Sequence, residues 1–119
     1  MKFFKILFIF FFVSFFLTNC AKKEKVSVIQ EEDLEIQMIQ AFEEGYKEFK
    51  DGDALFAAKK FNEAELLFPQ SPWAPKAALM AAYVYYAQDY YFDAEAELKR
   101  FIKTYPKNPD ISYAHFLLA

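Results

Sequence analysis

Sliding the chain on itself by 37 residues superimposes Phe68-Pro69 on Tyr105-Pro106, Ala57 on Ala94, Phe61 on Leu98, Tyr46 on Tyr83, Phe49 on Tyr86 and Gly45 on Ala82. The same shift carries Ser71-Pro72 onto Asn108-Pro109. A period in this range marks a fold built by stacking one supersecondary unit on the next, because a single unit cannot cover its own apolar face. The unit is helical: from about Asp33 the chain is dense in Ala, Glu, Lys, Leu and aromatics at helical spacing, and it contains only two glycines in 119 residues.

Punctuation places the helices. Ser71 and Asn108 supply an N-cap oxygen, and the proline after each is pre-set for a first helical turn. Gly52 suits a helix C-terminus and Asp53 an N-cap, and QDYYFD takes the place of this DGD turn in the second copy. The expected helices are 34–50 with 53–68, then 72–88 with 91–105, and a fifth from 109. In the fourth, Tyr91, Ala94, Leu98, Phe101 and Tyr105 form one apolar stripe, whose simplest role is core packing. With Pro69 and Pro106 set at position 32, Gly45 or Ala82 falls at position 8, Ala57 or Ala94 at 20, Phe61 or Leu98 at 24, and Ala64 at 27. Small residues where helices cross and large ones between them resemble the tetratricopeptide pattern.

The predicted fold is therefore all-α, a tetratricopeptide-like right-handed solenoid of antiparallel helix pairs, with copies at 34–70, 71–107 and a partial 108–119. Two features depart from the pattern. The period is 37 rather than 34, which lengthens the connection FPQSPWAPK, and position 27 of the second copy is Phe101, whose bulk is expected to push the helices apart. The chain ends on ISYAHFLLA, leaving Tyr113, Phe116, Leu117 and Leu118 without a following helix. The expectation is a solenoid truncated after about two and a half repeats, part of a longer product.

Ahead of the repeats, MKFFK is followed by ILFIFFFVSFFL, a basic start and an apolar run with the anatomy of a signal peptide over 1–19. The run is short of the roughly 20 residues that a membrane-spanning helix requires, so retention as an anchor is the lesser reading. Leu17 stands three residues before Cys20, as in the lipobox of bacterial lipoproteins, although Asn19 replaces the usual small residue. That resemblance implies cleavage before Cys20 and lipid attachment to its sulfur; a free or crosslinking thiol is the alternative. Residues 20–32 read as the lipidated cysteine and a flexible tether. Without the signal the chain has 12 basic and 17 acidic residues, which argues against a nucleic-acid partner.

LTNC, FPQSPWAPKA and AAYVYYAQDYYFDAEAELKRFIKTYPKNPDISYA together resemble the N-terminal part of the BamD family, the tetratricopeptide lipoproteins of the β-barrel assembly machinery. The two connections carry the resemblance. It implies a non-catalytic adaptor on the periplasmic face of the bacterial outer membrane, lipid-anchored. Its partners would be outer-membrane protein precursors and other subunits of the machinery. A different envelope scaffold for peptidoglycan or protease enzymes is the alternative. No cofactor is implied, and no Gly-rich phosphate loop, metal-ligand cluster or Ser, His and Asp set stands at motif spacing.

In such a stack the first helix of each pair lines the concave side. The positions facing it are Ile39, Phe42, Tyr46, Phe49 and Lys50 in the first copy, and Lys76, Leu79, Tyr83, Tyr86 and Ala87 in the second. An aromatic groove with a few amines suits an extended, aromatic-rich peptide, such as the C-terminal strand of a barrel precursor, with Lys50 and Lys76 as partners for a carboxylate. The competing reading has Tyr46 and Tyr83 packed against neighbouring helices. Trp73 is expected to anchor the long connection, or to meet a partner.

Overall fold

The structure is a computed structural model that describes residues 26–119. The expected signal peptide and Cys20 lie outside the described residues. Five helices follow one another: α1 (Val26–Asp51), α2 (Ala54–Leu67), α3 (Ala74–Ala87), α4 (Tyr91–Thr104) and α5 (Ile111–Leu118). Each packs on the next, which is the tetratricopeptide-like arrangement that the repeat predicts. No helix among the described residues is long and apolar enough to cross a membrane.

The 37-residue period extends to individual hydrogen bonds. Ser71 N–H donates to Phe68 O and Asn108 N–H to Tyr105 O, both at 3.0 Å. Trp73 N–H donates to Ser71 Oγ at 3.1 Å, and Asp110 N–H to Asn108 Oδ1 at 2.9 Å. Ser71 and Asn108 thus shape the same turn but do not cap the helices as expected: Trp73 and Asp110 hold the N-cap positions without a side-chain cap bond, and the helices begin at Ala74 and Ile111 because Pro72 and Pro109 sit in the turn. At the other end of the pairs, Asp53 N–H reaches Glu48 O at 3.0 Å and Tyr90 N–H reaches Tyr85 O at 2.9 Å. These six-to-one bonds close a helix through a left-handed residue. Gly52 fills that position at φ +88°, and Asp89 fills it in the second copy at φ +63°. Asp53 then caps α2 by accepting from Phe56 N–H at 2.9 Å.

One boundary differs from the sequence reading. Residues 26–32, expected to be tether, are helical and continuous with α1. No proline or glycine stands between Val26 and Gly45, and once a helix is nucleated each added residue gains a bond, so polar sequence alone does not stop it.

The helices form two layers: α1, α3 and α5 on one side, α2 and α4 on the other. Between them, all the buried apolar residues except Met38, Phe61, Val84, Leu98 and Phe101 are alanines. Alanine keeps the layers close. A close approach occurs at Gly45, where a β-carbon would meet Phe61 Cδ1 at 3.1 Å and Ala57 O at 3.2 Å. Large residues are distributed to match. Phe61 packs with Ala57, Ala58, Ala81 and Val84, while Phe101 is received by Ala78 and Ala82 of α3 and Ala114 of α5. Leu117 and Leu118, expected to be uncovered, are half-buried against this second cluster, whereas Phe116 is 72% exposed.

Candidate functional site

The α1–α3–α5 layer carries most of the sequence candidates, and the structure divides them. Phe42 turns inward: its ring meets Phe61 edge-on at 5.0 Å and it packs against two core clusters. Leu79 is half-buried against the α3–α4–α5 core. Phe49 and Tyr83 join α1 to α3 through an edge-to-face contact at 5.9 Å, each half-buried. Tyr46 and Tyr86 are exposed, and the Tyr86 ring meets Tyr91 at 5.8 Å.

Both candidate lysines lie over aromatic faces. Lys50 Nζ is 4.5 Å from the Tyr46 ring centre, and Lys76 Nζ is 4.5 Å from that of Trp73. Such a placement favours an ammonium through the ring quadrupole and holds a flexible side chain in one region. Neither lysine has a carboxylate within ion-pair distance among the described residues, whereas Lys47, Lys60, Lys99 and Arg100 all do. Trp73 contacts Phe42 edge-on at 6.0 Å, so it does anchor the long connection to α1 while remaining 47% exposed.

Sequence reasoning missed one member of this layer. Tyr113 of α5 lies within electrostatic reach of Tyr83 and Tyr86. Its hydroxyl is pushed above the ordinary tyrosine range by burial first and by those two neighbours second. The Tyr113 ring also stacks on Phe116 at 6.4 Å. The 37-residue shift would have pointed to it, because it places Lys76 on Tyr113 and so continues the groove-facing series into the third copy.

The opposite layer holds a polar network that the sequence reading did not include. Glu65, 5% exposed, accepts two bonds from Arg100, at 3.0 Å from Nη1 and 2.7 Å from Nη2, and a third from the Tyr105 hydroxyl at 2.6 Å. Arg100 also donates to Asn62 Oδ1 at 3.2 Å and to Glu97 at 2.9 Å, and Asn62 donates to Glu97 at 3.2 Å. Bidentate, charge-assisted bonds of this kind are the strong ones. The pairing with Glu65 holds the Arg100 guanidinium above its ordinary range, and Tyr105 is held high by burial first and by its bond to Glu65 second. One signal was available: Glu65 interrupts the inward series Phe61, Ala64, Phe68.

Among the described residues no group of His, Cys, Asp and Glu could hold a metal ion. His115, alone of its kind in the chain, is exposed.

Comparison with known proteins gives a consistent picture. The family described as YfiO, outer membrane lipoprotein, matches residues 34–119. An outer membrane protein assembly factor BamD from Caulobacter vibrioides is 30% identical over 103 residues, covering 87% of this chain. The chain spans about a third of that relative's length, 33%. No solved structure matches. Since the family match extends from within α1 through α5, both layers included, the chain belongs to the YfiO family of outer membrane lipoproteins.

Proposed function

We propose that this chain is a non-catalytic adaptor in the assembly of β-barrel proteins, held at the periplasmic face of the outer membrane by lipid on Cys20. Its α1–α3–α5 layer receives extended, aromatic-rich segments of outer-membrane protein precursors, and other subunits of the machinery are its further partners. Family membership and the assembly role carried in the name of the Caulobacter relative support the setting.

The observation that carries the binding role is the exposed aromatic surface at the α1–α3 seam. Phe49 meets Tyr83 there, Tyr46 and Tyr86 are exposed on the same two helices, and Lys50 over Tyr46 and Lys76 over Trp73 are engaged by no carboxylate among the described residues. Exposed aromatic patches of this kind are characteristic of interaction sites, and large rigid rings contribute contact at low entropic cost. An extended segment ending in a carboxylate would place rings against the tyrosines and its terminal charge near one of the ammoniums. Phe42 and Leu79 support this surface from beneath rather than forming its rim.

Photo-crosslinking amino acids at positions 46 and 83, in cells, are expected to yield adducts with barrel precursors. Their absence at both positions would remove the binding role. Mass spectrometry of the mature protein is expected to find Cys20 as the lipid-modified N-terminus; an unmodified thiol would remove the anchor.

A further inference from the structure

Two tyrosine hydroxyls on the described chain are engaged by the protein's own acids: Tyr105 donates to Glu65 and Tyr91 to Asp89, both at 2.6 Å. The hydroxyls of Tyr46, Tyr83, Tyr86 and Tyr113 have no such partner among the described residues, and none of them is sealed from solvent. All four belong to the α1–α3–α5 layer. Tyr85 and Tyr90 also lack partners, but Tyr85 belongs to the opposite side, where it lines a cleft with Lys59, Asn62 and Leu66.

The four are not scattered. Tyr83 touches α1 through Phe49, and α5, which carries Tyr113, packs on α3 through Ala114 against Ala78 and Ala82. Tyr83 and Tyr86 stand one helical turn apart, about 5–6 Å between β-carbons. An extended strand presents its N–H and C=O groups to one side at every second residue, a repeat of about 6.6–6.8 Å. A phenolic hydroxyl can both donate and accept, so a row of them can answer either backbone group. Ring faces meanwhile accept the side chains that point toward them.

Resting on the groove reading above, we propose that Tyr83, Tyr86 and Tyr113, flanked by Tyr46, bind the backbone of an extended peptide through their hydroxyls. The site then recognises an unpaired strand edge more than a particular order of side chains. A client strand that is already paired along both of its edges has no free edge to offer and is released.

The test uses the full chain and a synthetic peptide of about ten residues, alternating aromatic and polar, with a free C-terminal carboxylate. Binding is followed by fluorescence anisotropy. The triple variant Tyr83→Phe, Tyr86→Phe, Tyr113→Phe retains every ring. At roughly two- to tenfold per neutral hydrogen bond, it is expected to weaken binding by about eightfold or more with unchanged melting temperature. The same peptide N-methylated at alternate amides is expected to bind the wild type as weakly as the triple variant binds the parent peptide.

If the triple variant binds within twofold of the wild type while Tyr83→Ala abolishes binding, the hydroxyl assignment is overturned and the groove stands on ring contacts alone. If Tyr83→Ala binds like the wild type, or the wild type does not bind the peptide, the groove reading falls and the assignment with it.

Discussion

The two layers use the same residue types for opposite ends. Between α2 and α4, Glu65, Asn62, Glu97, Arg100 and Tyr105 engage one another and tie the first repeat to the second. Across α1, α3 and α5, Tyr46, Tyr83, Tyr86, Lys50 and Lys76 meet rings and make no side-chain hydrogen bond or ion pair among the described residues. A tyrosine in one layer is a strut and in the other an open hand. Polar saturation, rather than exposure alone, separates the face that holds the stack together from the face that is available to a partner.

The largest stability effect should come from the core that both layers share. Phe61→Ala removes a fully buried ring packed on alanines that cannot collapse into the space, and is expected to cost about 3–5 kcal/mol by denaturant unfolding. A loss below about 1 kcal/mol would show that the first helix pair is not held together at Phe61.

Next is Arg100→Leu, which strands the Glu65 carboxylate. Removing one partner of a fully buried pair costs roughly 3–5 kcal/mol. The Arg100 side chain is 39% exposed, so the expected loss is smaller, about 2–3 kcal/mol. Adding Glu65→Leu to Arg100→Leu should recover most of it, since replacing both members of a pair by apolar groups is often neutral. A double variant as unstable as the single would mean that the network specifies geometry that packing cannot replace.

Tyr105→Phe is expected to cost about 1.5–2 kcal/mol at neutral pH, the low end of the range for a bond to a charged acceptor. It also carries a pH signature. The folded state holds the Tyr105 proton more tightly than the unfolded chain does, so its stabilising contribution is complete below the ordinary tyrosine pKa of about 10. That contribution is lost as pH rises above this value, and Tyr105→Phe should flatten the alkaline decline in stability. The decline will not vanish, because Tyr85, Tyr91 and Tyr113 are shifted in the same direction.

The smallest effect is the sharpest contrast. Tyr83→Phe and Tyr86→Phe, in the open layer, are expected to change stability by no more than about 0.5 kcal/mol. A larger loss would show that those hydroxyls are structural and would erase the distinction between the layers.

Local chemistry is what the sequence expresses best. The Gly52–Asp53 turn, the turns at Ser71 and Asn108, and the five helices follow from side chains acting within a few residues of themselves, and the 37-residue shift amplifies each signal by repeating it. The start of α1 was not legible, because no residue in VSVIQEE either demands or forbids a helix. Nor was the Glu65 network. Its members lie 35 to 40 residues apart and occupy unlike positions in the two copies, so the alignment that reveals the repeat averages them away. Tyr105 differs from its counterpart Phe68 by a single hydroxyl, and that oxygen makes the contact.

Phe101 gives a related lesson. Its bulk suggested separated helices, yet alanines at 78, 82 and 114 receive it, a compensation contributed by two other helices that no local window contains. The groove candidates likewise divided according to depth. Phe42 and Tyr46 are both groove-facing positions of α1, but only the structure shows the first against Phe61 and the second in solvent.

The matched hydrogen bonds of the two copies bear on how such a stack keeps its order. The turns at Phe68–Ala74 and Tyr105–Ile111 make the same backbone bonds. The helices differ. Glu65 carries no counterpart in the second copy, where Ile102 stands, and Arg100 has none in the first, where Glu63 stands. The ion pair therefore joins unlike positions of the two copies, a contact that two copies of the first repeat would not make, since Glu65 would then meet Glu63 where Arg100 stands.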